Sequence, residues 1–173
     1  IKHDITIYAA HTNMDVVANG VSGRMADKLD LYHRQILQPE GDPMTGNGFG
    51  IIGELQHPVE SMAFLQQIKE IFRCDRLRYT TPHILSIQRV AVCGGAGASF
   101  FKQALAGQAD IYISGDFKYH DFFLTENRIM IADIGHYESE QFTKEIFYEI
   151  LTKKISKFAV QFSEINTNPI KYL

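Results

Sequence analysis

The sequence predicts an α/β fold, a mostly parallel sheet with flanking helices in a single domain, and three observations predict it. Apolar runs of strand length alternate with amphipathic segments of helix length, which is the pattern of βαβ units. Several of the runs are apolar at nearly every position, as strands covered on both faces are. The polar residues able to do chemistry gather directly after those runs, where an α/β sheet carries its functional loops.

Strands are expected at Ile5–Ala10, Phe49–Leu55, Arg76–Tyr79, Gln88–Cys93, Asp110–Ser114, Arg128–Asp133 and Phe158–Phe162, from their β-branched and aromatic content and their length. Helices are expected at Val21–Leu31, Val59–Phe72, Ser99–Ala106, Tyr119–Thr125 and Glu138–Lys154. In the last, Phe142, Ile146, Phe147, Ile150 and Leu151 recur at helical spacing, while Lys144, Glu145, Glu149 and Lys153 take the opposite side. Pro58 suits the first turn of the second helix, where a missing N–H costs little. The segment QPEGDPMTGNG, Gln38 to Gly48, packs turn formers together and reads as a loop or as the place of a missing insertion.

With 173 residues and 45% hydrophobic content the chain can bury one sizeable core. Seventeen Lys and Arg against twenty Asp and Glu leave a net charge of -3, so no broad cationic field exists to hold a phosphate backbone, and nucleic acid is not the expected partner. The densest basic stretch, Lys69, Arg73, Arg76 and Arg78, reads as the solvated end of a helix. Cys74 and Cys93 read as reduced core or edge residues rather than a disulfide, which with the lack of an apolar run long enough to span a bilayer points to a soluble, cytoplasmic protein. The chain opens on Ile1 without an initiator Met and reads as a fragment.

Three predicted strand ends deliver the candidate chemistry. Ile5–Ala10 runs into His11, Thr12, Asn13 and Asp15; Asp110–Ser114 runs into Gly115, Asp116, His120 and Asp121; the strand ending at Asp133 runs into Gly135, His136, Glu138 and Glu140. Imidazole and carboxylate together suit Zn, Fe, Mn or Co, and carboxylates can bridge two ions. His136 and Glu140 stand four apart at a helix start, which puts both on one face. The same residues also fit a plain helix N-terminus, where Glu138 and Glu140 complement the dipole, and spacing alone leaves both readings open. His120, crowded by Asp116 and Asp121, could carry a proton. The turn Gly94–Gly97 could approach a phosphate, though a tight βα turn explains it as well.

Four runs then occur in one order: YAAHTNMD (8–15), VCGGAG (92–97), ISGDFKYHD (113–121) and DIGHYESE (133–140), with TNPIKYL closing the chain. Together they resemble the type 2 GTP cyclohydrolase I family, also called Nif-three-like proteins. The resemblance implies an α/β fold assembled into a hexameric ring, with up to two divalent metal ions per subunit. It places Asp15, His136 and Glu140 on the family's metal ligands, His120 near the metals as acid or base, and metal-activated water as the nucleophile. The family's His-His-Pro motif, which supplies further ligands, belongs upstream of Ile5 and has no counterpart here; an inserted domain found in longer members would sit near Gln38–Asp42. The resemblance thus implies a hydrolase acting on a purine nucleotide or related heterocycle. A ring-forming regulatory or protein-binding module with structural metals is the alternative.

Overall fold

A computed structural model gives the structure of residues 2–173. Its centre is a six-stranded sheet in the order β1-β2-β4-β5-β6-β3, built from β1 (Tyr32–Pro39), β2 (Gly48–Glu60), β3 (Arg78–Tyr79), β4 (Ser86–Val92), β5 (Ile111–Ser114) and β6 (Met130–Asp133). Helices α1 (Thr12–Val16), α2 (Val21–Lys28), α3 (Ser61–Ile71), α4 (Phe101–Ala106), α5 (His136–Glu140) and α6 (Thr143–Lys154) flank it. Among the described residues, no helix is long and apolar enough to cross a membrane.

The α/β class holds, with a mixed sheet. Parallel pairing is confined to β4, β5 and β6, while β1 and β2, β2 and β4, and β3 and β6 pair antiparallel. The parallel strands are the ones with continuous apolar runs: every residue of β5 and β6 is buried. Alternation along these strands divides the core into two layers. Val90, Val92, Ile111, Ile113, Met130 and Ala132 face Met25 of α2 and Phe64 and Ile68 of α3. Ala91, Tyr112 and Ile131 face Phe101 and Ala104 of α4 and the ring of Phe117.

The predicted strand Ile5–Ala10 is instead an unpaired segment with Ile5, Ile7 and Tyr8 largely exposed. Its β-branched content suits a ladder, but no strand of the sheet pairs with it. Phe158–Phe162 is likewise not a strand; Phe162 stacks on Tyr148 of α6 with ring centroids 4.7 Å apart. Conversely, β1 has no apolar run to announce it, because it is an edge strand carrying exposed Tyr32, His33, Arg34 and Gln35. A register shift between Tyr32 and Gln35 adds an irregularity, with His33 at φ 49°. Strands β1 and β2 close into a hairpin over residues 40–47, where Pro39 pairs with Gly48 and the Glu40 amide donates to the Asn47 carbonyl at 3.1 Å.

Pro58 lies inside β2, not at a helix start. The β2–β4 register shifts between Glu54 and Val59, the kind of irregularity at which a strand tolerates a proline's missing N–H. α3 begins at Ser61, where the Glu60 side chain accepts from the Met62 and Ala63 amides at 2.9 and 2.7 Å. The predicted helix Tyr119–Thr125 is 3-10, and Ser99–Ala106 starts as a 3-10 turn before α4. Glu138–Lys154 is two helices, α5 and α6, joined at Gln141 and Phe142. Of the basic stretch, Lys69 lies in the last turn of α3, but Arg78 belongs to β3 and pairs with buried Asp133.

Candidate metal centre

The carboxyl ends of β5 and β6 lie side by side, with Ser114 opposite Asp133. The loops leaving them run backbone against backbone: a Cβ on Gly115 would come within 2.8 Å of the Gly135 carbonyl carbon and the His136 amide nitrogen. Gly135 starts α5 at φ 93°, where a side chain would also strike Glu138. These contacts put His136 beside Asp116, whose Oδ2 lies 2.7 Å from His136 Nδ1. Asp116 itself sits in the left-handed region, at φ 60°. One turn along α5, Glu140 Oε1 is 3.4 Å from His136 Nε2, so the i,i+4 reading of that pair holds geometrically.

Asp133 locks the two loops together. This carboxyl is only 4% exposed. Its Oδ1 accepts from the Gly135 amide at 3.0 Å and its Oδ2 from the Phe117 amide at 3.2 Å, while Arg78 pairs with it from β3 and also donates to the Phe117 carbonyl at 2.8 Å. Asp133 thus holds the residue after Asp116 and the residue before His136.

A cavity of about 190 Å³ opens in front of this arrangement, with His11, Asp15, His136, Glu140 and the turn Gly94–Ala96 in its lining. Asp15 therefore meets the His136 and Glu140 pair from a distant part of the chain. The turn packs too closely for side chains: a Cβ on Gly94 would lie 2.3 Å from a Val21 methyl, and one on Gly95 2.4 Å from Glu140 Oε1. The three glycine amides here are spent within the protein, Gly94 on Ser22, Gly95 on Ser139 and Gly97 on Ser114, at 3.3, 2.8 and 3.0 Å. The close βα turn, not a phosphate cradle, is the role these contacts support. Cys93 also lines the cavity, but burial pushes its thiol up to about 11, and that of Cys74 to about 12; both cysteines are free.

Burial raises the Asp15 carboxyl, partly offset by His11 and His136. Burial also raises Glu140, with His136 lowering it and Asp15 adding to the rise. For His136, burial opposes the charged ring, but the Asp116 hydrogen bond and the charges of Glu140, Asp116 and Asp15 outweigh it and lift its pKa. Two half-buried carboxylates thus crowd one imidazole and draw it toward its cationic form. That is a pocket short of positive charge, and its oxygen and imidazole donors are those a divalent cation takes. Among the described residues, no three His, Cys, Asp or Glu side chains are placed to hold a metal ion together, and His136 Nε2 is turned to Glu140.

His120 is exposed on the 3-10 segment Tyr119–Thr125, edge-on to Tyr119 at 5.4 Å between ring centroids, and is absent from the lining of this cavity. His11 and Asp116, which the sequence placed at strand ends without assigning them a role, also belong here: His11 lines the cavity, and Asp116 orients His136.

Residues 1–169 match the family model Duf34/NIF3 (NGG1p interacting factor 3). A Streptococcus pneumoniae protein named GTP cyclohydrolase 1 type 2 homolog is 36% identical over 181 residues, covering 100% of this chain and 67% of that protein. A Staphylococcus epidermidis protein of the same name is 38% identical over 130 residues, covering 72% of this chain but only 35% of that protein. The chain therefore spans between about a third and two thirds of the length of these relatives. Among solved structures, a Staphylococcus aureus hypothetical protein superposes with TM-score 0.88 at 25% identity, covering 99% of this chain and 70% of that one. A Bacillus cereus protein related to NIF3, at 20% identity and TM-score 0.84, covers 99% of this chain and 74% of its own and shares the fold.

Proposed function

Because the chain belongs to the Duf34/NIF3 family, we propose that Asp15, His136 and Glu140 form the core of a divalent-metal site, and that the protein is a metal-dependent hydrolase acting on a purine nucleotide or related heterocycle. The observation that carries this reading is the convergence of those three side chains, with His11, on one cavity where burial raises both carboxylates and only imidazoles offset it. Zn, Fe, Mn or Co suits the donors, with up to two ions per subunit. When bound, such an ion polarises a substrate oxygen and activates water.

The chain's own residues would do the rest. Asp116 on Nδ1 fixes the His136 tautomer and leaves Nε2 for coordination; Glu140 and Asp15 supply carboxylate oxygens. His120 stays a candidate proton carrier, although it lies on the 3-10 segment outside the cavity lining. The reading also includes a homohexamer in the cytoplasm. It is supported against a purely structural metal by a second cavity that opens on His136 and Glu140, since structural sites are closed.

The deciding experiment is elemental analysis of the purified chain beside His136→Ala. About one or two ions per subunit in the parent and fewer in the variant are expected; no metal in either sinks the proposal. A structural-metal module would instead hold its ion but turn over neither guanosine nor GTP.

A further inference from the structure

His136 and Glu140 stand between two cavities. Beyond the pocket with Asp15 lies a chamber of about 430 Å³, in the size range of small-molecule sites. Tyr137, Gln141 and Thr143 form one side of it, and Asn168, Pro169 and Ile170 of the C-terminal segment form the other. Its walls are mostly apolar, and most of the polar side chains in them are already engaged. Gln141 Nε2 donates to the Phe72 and Glu138 carbonyls at 2.7 and 3.2 Å, and Thr143 Oγ1 donates to the Glu140 carbonyl at 2.7 Å. Asn168 donates through Nδ2 to Glu138 Oε1 at 3.2 Å and accepts the Ile170 amide at 3.0 Å. A ligand here meets ring and hydrocarbon surface, with the free polar chemistry concentrated at the His136–Glu140 end.

Charge points the same way. Neither cavity has a Lys or Arg in its lining, and Lys171, on the same C-terminal segment, turns its ammonium onto the Asn168 carbonyl at 3.2 Å. The Gly94, Gly95 and Gly97 amides are engaged by serines. A polyphosphate entering this space would shed hydration with little to replace it, beside the carboxylates of Asp15 and Glu140, and burying unpaired charge is strongly unfavourable.

We infer that the chamber binds the uncharged body of the substrate: a neutral heterocycle of nucleoside size, not a nucleoside polyphosphate, with one polar edge turned to His136 and Glu140. The reacting end rests on the hydrolytic reading above; the preference for a neutral ligand stands without a metal.

The test is equilibrium dialysis of the full chain against guanosine and against GTP, once with EDTA and once with added zinc. Guanosine is expected to bind at least about tenfold more tightly than GTP in the chelated protein. Ile170→Asp, at a half-exposed position, should keep the circular dichroism spectrum and weaken guanosine about tenfold, while Ile170→Met should retain it. GTP binding as tightly as guanosine, no guanosine binding, or an Ile170→Asp protein that binds guanosine unchanged would each overturn the inference. The two readings fail separately: zinc uptake without guanosine binding removes the chamber, and guanosine binding without zinc uptake removes the hydrolase.

Discussion

Replacing Asp133 by Asn alters one atom type in a carboxyl that three groups depend on. The carboxylate accepts from the Gly135 and Phe117 amides through different oxygens, and Arg78 pairs with it. A carboxamide has one oxygen, so one of those amides must face an NH2 group. Hydrogen bonds to a charged group contribute about 1.5–3 kcal/mol each, and Arg78 is more than half exposed, so solvent screens much of its share. A loss of about 3 kcal/mol follows, or a melting temperature lower by roughly 6–12 °C for a chain of this size. The loosened loop carries either Asp116 or His136, and losing support of this kind lowers metal affinity about 10- to 100-fold. Urea unfolding and zinc titration with a competing chelator measure the two effects. A stability loss below about 1 kcal/mol together with unchanged zinc affinity would refute the clamp.

Further outcomes are expected at the site. Gly95→Ala places a Cβ 2.4 Å from Glu140 Oε1 at φ 64°, so it should cost about 1–2 kcal/mol of strain and displace Glu140, reducing zinc affinity; chemical denaturation and zinc titration read the two. Glu140→Ala should lower metal content while the helical circular dichroism signal persists, and equal metal content would remove Glu140 from the ligand set. Asp15, Glu140 and His136 all have raised pKa values, so the native metal-free protein favours their protonated forms. The His136 contribution is complete below its unfolded value near 6.5 and is lost as pH rises through the folded value, so metal-free melting temperature should fall across that window; His136→Asn should flatten the profile, and an unchanged slope would show that another group sets it. Zinc affinity should move oppositely and strengthen with rising pH, because binding displaces the His136 proton. His120→Ala should leave zinc affinity unchanged and lower any turnover, and undiminished turnover would strike His120 from the mechanism.

The α/β class was legible because β5 and β6 are nearly continuous apolar runs and β4 ends in one, as a sheet covered on both faces requires. β1 was hidden by its exposure: an edge strand bearing Tyr32, His33, Arg34 and Gln35 looks like a loop. Ile5–Ala10 misled in the reverse direction, since β-branched content reports readiness to pair and not the presence of a partner. At the site, the i,i+4 spacing put His136 and Glu140 on one face but left their role open, and the family resemblance assigned it. The Asp116–His136 contact spans twenty residues and becomes readable only when β5 and β6 are known to be adjacent and parallel. Asp133 was invisible as a clamp because, within its run, it looks like one more loop-entry acid.

The division of the last helical region at Gln141 and Phe142 gives the molecule two kinds of fastening. α5, with His136 and Glu140, is held from within the fold: the Ser139 hydroxyl accepts the Gly95 amide, and Gln141 is tied to the Phe72 carbonyl. α6 is held to α2 by charges near the surface, Arg24 to Glu149 at 2.6 Å and Lys28 to Glu145 at 3.0 Å. Ionic strength acts on the second kind and hardly on the first. Concentrated salt should therefore quicken amide exchange along Thr143–Lys154 while His136 and Glu140 keep their places, so that the outer helix yields to the medium and the inner one does not.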